Sequence, residues 1–490
     1  MKKTMKIFYI APEVAPFAKT YAVADVAGAF PKALKEMGHD VRVMMPNYKC
    51  VNARKYVLRD VIRLKDMRVP EWQDEVLVSA KSAFLPNSKV QIYFLDNKEL
   101  FVRDGLYADS QKGKVFADND ERFMVFIKGC VETLKMLHWQ PDVIHCNDWQ
   151  SGFLPILLKM GGDEDGFFKN TKIVFSLFDF QTETTISKSA LEKAGLDTSQ
   201  FSADEVDASG NVDVLKTAIS RSDMIVVENK DRALGKQLKG EPVSDKIKAL
   251  LASASDKLVE LGSGIDHSVW DPSSDKFLKS KYDIESVEKK QDNKKALLAN
   301  LDLTYDAKSP LVYVHADAEA TTQEDDLTQI IPEMLEMGIS VVLLSRGQNG
   351  KEQELAAYNE KYPNHFLLQK YENDLAHQLM AGADFYLAPA WEEPMISNHL
   401  IGMRYGTIPL VKDDGDFSET IKDFSKSAKN ATGFVFNGSE ERGIVSILKT
   451  ALELYQNTDK WENLIKNAMK QDYSWHSVGP QYIEKLSRLF

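Results

Sequence analysis

The cysteines that could act as nucleophiles or metal ligands are few and scattered. Cysteine occurs only at Cys50, Cys130 and Cys146, too few and too dispersed for a disulfide framework or a metal cage. Two carboxylates stand out, Asp148 and Glu393, because each follows an apolar run and precedes a helical stretch. An acid in that place either contacts a substrate or serves the N-terminus of a helix. The sequence therefore predicts no metal site and leaves both roles open for the two acids.

Charge and hydropathy limit the classes of protein to be considered. The chain has 490 residues, with 61 Lys and Arg against 73 Asp and Glu, which gives a net charge of −12. This excess of acids argues against a nucleic-acid binder, which would carry a basic face. No apolar run approaches the roughly 18 residues of a membrane span, and Pro12 and Pro16 interrupt the short run near the N-terminus. We expect a cytoplasmic protein with no membrane partner and no signal peptide.

The elements that must position the candidate acids follow an alternating pattern. Helix-length amphipathic stretches separate short apolar runs, which predicts βαβ units with parallel strands. The predicted strands lie at 6–10, 41–45, 143–145, 173–177, 224–227, 311–314, 340–344, 365–368 and 385–387. The runs 76–78 and 90–95 flank a turn signal and predict an antiparallel excursion. The stretch 23–37 predicts a helix that ends at Gly38, and the lysines between 289 and 295 predict a solvated helix face.

Ordered motifs that span nearly the whole chain carry a family resemblance. They are Glu13 to Leu34, Asp118-Asn119 with Arg122-Phe123, Pro141 to Gln150, Gly264-Ile265-Asp266, Met403 to Pro409, Ala431 to Phe434, and Ser474-Trp475. In these residues the chain resembles bacterial glycogen synthases and plant starch synthases, glycosyltransferase family 5. The resemblance implies an α/β GT-B fold, in which two Rossmann-like domains face a central cleft.

The resemblance also implies a domain organisation and a reaction. The N-terminal domain would span 1–262, the C-terminal domain 263–472, and a helix over 473–490 would return to the N-terminal domain. The family transfers glucose from ADP-glucose to the end of an α-1,4-glucan with retention of configuration, and it needs no metal ion and no other cofactor. A departing diphosphate requires cations and backbone N–H groups that stabilise its charge.

The donor-binding motifs of the family are only partly present. By resemblance, the remaining donor-binding residues are Lys19, Thr20 and Gly415. Glycines that let the backbone approach phosphate are replaced here by Tyr21, Ala22 and Asp416. The family places an Arg and a Lys after the first strand of its C-terminal domain, whereas 310–332 contains no Lys or Arg and several acids.

Further replacements lie at the sugar-binding and catalytic positions of the family. Glu393 and Asp148 are retained and are the catalytic candidates. The residues around Glu393 are changed, so its carboxylate could be a vestige of the family's site. The substituted positions around them are Asn147 for a His, Phe178 and Asp179 for a His-Asn pair, and Met395 and Ile396 for a Cys-Gly pair. An acid at Asp179 would repel a diphosphate.

The pattern of retained and replaced residues leads to one main hypothesis and two alternatives. Scaffold residues are kept while phosphate-binding residues are changed, so we expect a synthase-like protein that is catalytically silent or impaired and has a glucan-related binding or regulatory role. Its candidate partners are α-glucan and an active glycogen synthase or another protein of glycogen metabolism. The first alternative is an active retaining glycosyltransferase that uses ADP-glucose or another nucleotide sugar. The second is a structural subunit that pairs with an active homologue.

Overall fold

The apolar runs of the sequence form the central strands of two largely parallel sheets. The computed structural model describes residues 4–490 except 160–164, 181, 183, 235–242, 317–322, 346–351, 389–397, 414–419 and 438–439, and omits the side chains of 316, 323–328, 352–354 and 440–442. The chain divides into two units. The N-terminal unit contains Met1–Lys236, Pro242–Gly264 and Trp475–Phe490, and the C-terminal unit contains Ile265–Ser474.

The N-terminal unit is built on a ten-stranded sheet. The unit has twelve described strands, two of which, β9 and β10, form a separate two-stranded sheet. The strands are β1 (Lys6–Ile10), β2 (Asp40–Pro46), β3 (Arg59–Asp60), β4 (Met67–Arg68), β5 (Leu77–Phe84), β6 (Gln91–Asp96), β7 (Val143–Asn147), β8 (Lys172–Ser176), β9 (Thr185–Ile186), β10 (Val212–Asp213), β11 (Met224–Val227) and β12 (Leu258–Glu260). The sheet order is β12-β11-β8-β7-β1-β2-β6-β5-β3, with β4 also paired to β5. The expected antiparallel excursion is confirmed, because β5 pairs antiparallel with β6.

Helices cover this sheet. Those before the domain boundary are α1 (Val23–Glu36), α2 (Lys98–Phe101), α3 (Asn119–Met136), α4 (Phe153–Lys159), α5 (Lys188–Lys193), α6 (Val214–Arg221), α7 (Lys230–Ala233) and α8 (Asp245–Ser253). The predicted helix over 23–37 is confirmed as α1. Gly38 follows it with φ +95°, the left-handed conformation that glycine adopts at low cost after a helix.

The C-terminal unit has a six-stranded parallel sheet. Its strands are β13 (Leu311–Ala316), β14 (Ser340–Ser345), β15 (Phe366–Lys370), β16 (Phe385–Ala388), β17 (Ile408–Lys412) and β18 (Phe434–Phe436), in the order β15-β14-β13-β16-β17-β18. Its described helices are α9 (Lys290–Asn300), α10 (Gln323–Glu336), α11 (Glu352–Lys361), α12 (Asn373–Gly382), α13 (Asn398–Arg404), α14 (Glu440–Tyr455) and α15 (Thr458–Met469). Both units therefore follow the predicted βαβ pattern.

The lysine-rich stretch of α9 corrects one expectation. Lys289 and Lys295 are exposed, but Lys290 and Lys294 are buried, so the stretch is not simply a solvated face. The Lys294 ammonium lies 2.6 Å from Asp384 Oδ2, and the Lys290 ammonium donates to the carbonyl of Ala381 at 2.9 Å. Burial lowers the pKa of Lys290 to about 7. The two lysines are internal anchors of α9, because a buried ammonium needs such partners.

The last helix, α16 (Trp475–Ser487), packs within the N-terminal unit. The Trp475 ring lies 4.8 Å from the ring of Phe30 on α1. The Tyr482 hydroxyl and Nδ1 of His145, on β7, are 2.7 Å apart and both residues are buried. No helix in the described part of the chain is long and apolar enough to cross a membrane.

Candidate active site

Three parallel strands bring the candidate residues of the N-terminal unit together. β7 pairs with β1 on one side and β8 on the other, and the registers place Ile10 beside Cys146 and Asn147 beside Ser176. The carboxyl ends of all three strands therefore meet at one edge. β2 continues the sheet beyond β1, so the order in which strands are added to the sheet reverses between β1 and β7. Open α/β sheets bind ligands at such a point.

The loop after β1 is organised by a buried acid, Glu13. Its carboxyl accepts hydrogen bonds from the Thr20 N–H at 2.6 Å and the Thr20 hydroxyl at 2.9 Å, and from the Tyr21 N–H at 3.3 Å. Burial raises the pKa of Glu13 to about 8, and these hydrogen bonds partly oppose the shift. Two backbone N–H groups of the candidate phosphate loop are thus occupied by an acid of the chain itself.

Tyr21 bridges this loop to the end of β7. Its hydroxyl donates to Asp148 Oδ2 at 2.7 Å. Its ring stands edge-on to the ring of Tyr107, with 6.3 Å between centroids. Burial raises the pKa of the Tyr21 hydroxyl well above its usual value, and the nearby acids add to the shift. A phenol ring therefore lies across the space between two strand ends.

Asp148 is the acceptor at the centre of the site. It is fully buried, and its Oδ1 accepts from the N–H groups of Phe178 and Asp179, each at 3.1 Å. Burial and the charge of Asp179 raise the pKa of Asp148 to about 7. The carboxyl does not cap the short 3₁₀ helix Trp149–Ser151, so the helix-capping role considered from the sequence is wrong.

The backbone at Asp148 is strained. Its φ of +60° and ψ of 176° lie in a region that is almost confined to glycine, and holding a non-glycine residue there costs about 1–3 kcal/mol. The three hydrogen bonds to its carboxyl offset that cost. The sheet thus fixes the direction of this side chain toward the loop after β1.

The neighbouring substituted residues have mainly structural contacts. The Asn147 side-chain amide donates to the carbonyl of Ile10 at 2.8 Å and joins β7 to β1. Phe178 and Asp179 are half-buried at the end of β8, and Asp179 Oδ1 accepts from the Thr182 N–H at 2.9 Å. Ala22 is buried at the N-cap of α1 and offers no capping side chain.

Lys19, the retained cation of the loop, is engaged within the chain. Its ammonium lies 2.5 Å from Asp25 Oδ2 in the first turn of α1. Both side chains are partly exposed, so the pair is weak in free energy, but it directs the lysine along the helix. The cation is balanced locally by an acid before any ligand arrives.

Several candidate residues lie outside the described residues: Glu393, Met395, Ile396, Gly415 and Asp416. Their roles stay as predicted from the resemblance. Lys19, Thr20, Tyr21, Ala22, Asn147, Asp148, Phe178 and Asp179 are all brought to the same sheet edge. In the described part of the chain no group of three or more His, Cys, Asp and Glu could hold a metal ion.

Glu13 is the site residue that the sequence reasoning did not single out. The signal that could have identified it is an acid directly after the apolar run of β1, between Ala11 and Val14, which are both fully buried. An acid in such surroundings must accept hydrogen bonds or stay protonated.

Comparison with known proteins decides the family. Residues 6–231 match the model of the starch synthase catalytic domain. A glycogen synthase of Chlorobaculum parvum is 32% identical over 486 residues, covering 99% of this chain and 98% of the relative. A glycogen synthase of Desulforudis audaxviator is 31% identical over 492 residues, covering 98% and 96%. The chain belongs to the glycogen synthase and starch synthase family.

Solved structures agree with this family and fold. The catalytic domain of starch synthase IV from Arabidopsis thaliana, bound to ADP and acarbose, matches with a TM-score of 0.88 and 25% identity, covering 99% of each chain. A sucrose-phosphate synthase from Thermosynechococcus elongatus matches at a TM-score of 0.56 and 12% identity, which indicates a shared fold only. The expected GT-B fold is confirmed.

Proposed function

We propose that this member of the glycogen synthase and starch synthase family is catalytically silent or strongly impaired in glucose transfer from ADP-glucose. In this proposal it keeps a glucan-related binding or regulatory role. The single observation that carries the proposal is the hydrogen bond from the Tyr21 hydroxyl to Asp148, because it places a side chain where a phosphate-binding loop needs close backbone approach.

The hydrogen bonds of the loop support the same conclusion. A diphosphate is stabilised by unoccupied N–H donors and by cations. Here the N–H groups of Thr20 and Tyr21 donate to Glu13, and Lys19 pairs with Asp25. A diphosphate would have to displace each of these contacts before the loop could hold it.

Charge adds a further barrier. Asp179 lies beside Asp148 at the edge of the sheet, and its charge already raises the pKa of Asp148. Bringing a diphosphate to this edge would add like charge at low dielectric, where repulsion is strongest. The sequence offers no Lys or Arg within 310–332 to balance it.

A second candidate function is ordinary synthase activity. The observation that favours it is the full-length similarity to proteins named glycogen synthase, at 32% identity over 486 residues. Glu393 and Asp148 would be its catalytic residues. Under this alternative, Tyr21 must move away from Asp148 when a donor binds.

Calorimetric titration distinguishes the two functions. We expect no saturable binding of ADP-glucose or UDP-glucose, and we expect saturable binding of a linear maltooligosaccharide. The Tyr21→Gly/Ala22→Gly variant is the informative comparison, because it restores the glycines of the family loop. Saturable binding of any nucleotide sugar to the unaltered protein would overturn the proposal and favour the active alternative.

A further inference from the structure

The charge of this protein is unevenly distributed between its two units. Residues 265–474 contain 35 acidic and 22 basic residues, a net charge of −13, so the remaining residues carry +1 of the total of −12. Within that nearly neutral remainder, residues 54–68 contain six basic residues and two acidic ones, a net charge of +4. A strongly acidic half and a local basic segment therefore coexist in one chain.

The basic segment forms an exposed surface at the end of the N-terminal sheet. It includes β3, the terminal strand in the sheet order, and β4. All six of its basic side chains are exposed, and we call them the basic edge: Arg54, Lys55, Arg59, Arg63, Lys65 and Arg68. None of the six makes an ion pair with a residue in the described part of the chain. Their charge is thus not neutralised by those residues.

Apolar side chains are exposed on the same surface. Ile62 is 91% exposed and Val57 is 60% exposed, both between the basic residues. Phe84, on the neighbouring strand β5, is 62% exposed. Charges alone would suffice to protect a sheet edge from pairing with another chain. Apolar groups between unpaired cations are instead typical of a surface that desolvates against a partner.

The basic edge is held in place by the fold. The Tyr56 hydroxyl donates to the carbonyl of Pro16 at 2.9 Å, and its ring lies 4.6 Å from the ring of Phe17. Leu64 and Met67 are buried beneath the segment. A partner would therefore meet a largely preformed surface, which lowers the entropy cost of binding.

We infer that the basic edge binds the acidic C-terminal unit of a second copy of this chain. Charge complementarity selects this occupant, since every copy carries −13 on residues 265–474 and +4 on residues 54–68. The contact joins two different surfaces, and every copy offers both of them. Its electrostatic part weakens as salt shortens the screening length.

Sedimentation velocity over a range of protein concentrations tests this inference. At about 25 mM salt we expect the unaltered protein to associate as its concentration rises, and at about 500 mM salt we expect that association to weaken by about tenfold or more in Kd. The variant Arg59→Glu/Arg63→Glu/Lys65→Glu should lose the low-salt association. Ile62→Asp, a single change at an exposed position, should weaken it as well.

A matched control changes the same amount of charge elsewhere. Lys112, Lys114 and Lys169 are exposed residues of the N-terminal unit outside the basic edge, and their triple change to Glu should leave association at the unaltered level. Circular dichroism establishes that each variant is folded, and Ile62→Asp keeps the test decisive if the triple variant fails to fold. A monomer at every concentration at low salt would overturn the inference. Association that the basic-edge variants do not alter would overturn it too. So would a protein that stays monomeric by itself and binds only to an added anionic polymer.

Discussion

Asp148 and Tyr21 decide, at the scale of single residues, what the candidate site can bind. Asp148 is buried, strained at its backbone and held by three donors, one of which is the Tyr21 hydroxyl. A phenol hydroxyl in that place satisfies an acceptor that would otherwise need a ligand or water. The site is therefore stable without a donor substrate.

Removing the Tyr21 hydroxyl tests the importance of this contact for stability. We expect Tyr21→Phe to lower the free energy of unfolding by about 1–3 kcal/mol, because Asp148 Oδ2 loses its donor in a buried place. Urea unfolding measures the change. Tyr305→Phe, at an exposed tyrosine, is the control and should alter stability by less than about 0.5 kcal/mol. Equal effects of the two changes would contradict the account.

The raised pKa of Asp148 predicts a pH dependence. Its folded pKa is about 7, against about 3.9 in an unfolded chain. The stabilising contribution of the protonated carboxyl is complete below about pH 4 and is lost as pH rises through 7, because the folded state then holds a buried charge. The loss amounts to roughly 4 kcal/mol, at about 1.4 kcal/mol for each pKa unit.

Asp148→Asn isolates this effect. The amide cannot ionise, yet its oxygen can still accept from the N–H groups of Phe178 and Asp179. We expect its thermal unfolding midpoint to fall less between pH 5 and pH 8 than that of the unaltered protein, because the variant has no buried carboxyl at this position to ionise. Glu13 keeps part of the slope, since its pKa is also raised. Asp74→Asn, at an exposed acid, should not change the slope, and an identical slope for Asp148→Asn would refute the assignment.

At the scale of elements, helix α16 completes the N-terminal unit. Trp475 is buried against Phe30, and Gly264 lies directly below it. A Cβ at Gly264 would come within 2.5 Å of the indole, whereas a Cβ at Gly262 would meet nothing within 4 Å. The close approach of backbone and ring thus fixes the position at which the helix begins.

Two alanine variants test that packing. We expect Gly264→Ala to destabilise the protein by about 1–3 kcal/mol through overpacking. Gly262→Ala should stay within about 0.5 kcal/mol of the unaltered protein. The thermal unfolding midpoint measures both. If Gly262→Ala proves as costly as Gly264→Ala, the contact with Trp475 does not explain the requirement for glycine.

How far the sequence predicted the structure differs between elements and contacts. The strands and α1 were predictable because their signal is a local periodicity. The burial of Lys294 was not, because its partner Asp384 lies 90 residues away in sequence. The Tyr21–Asp148 contact joins residues 127 positions apart. It depends on β7 lying beside β1, which no local pattern specifies. The resemblance identified the substituted positions but not what now occupies their space.

At the scale of the whole molecule, the net charge of −12 conceals two opposite tendencies. The C-terminal unit carries the net negative charge, while the basic edge of the N-terminal unit carries exposed cations. The total alone argues against a general basic face, but it gives no sign of the basic edge. A chain of this kind can keep the scaffold of a synthase while its surface charge serves association.

The central claim is the loss of glucose transfer, and a direct assay tests it. The purified full-length chain is incubated with labelled ADP-glucose and a glycogen primer, and the Chlorobaculum parvum relative is assayed in parallel. The loss of even one preorganised donor to a developing charge lowers a rate by about 10²–10³-fold. We therefore predict transfer at least about 10³-fold slower than that of the relative, for which the assay must detect product. Transfer within about tenfold of the relative would contradict the account.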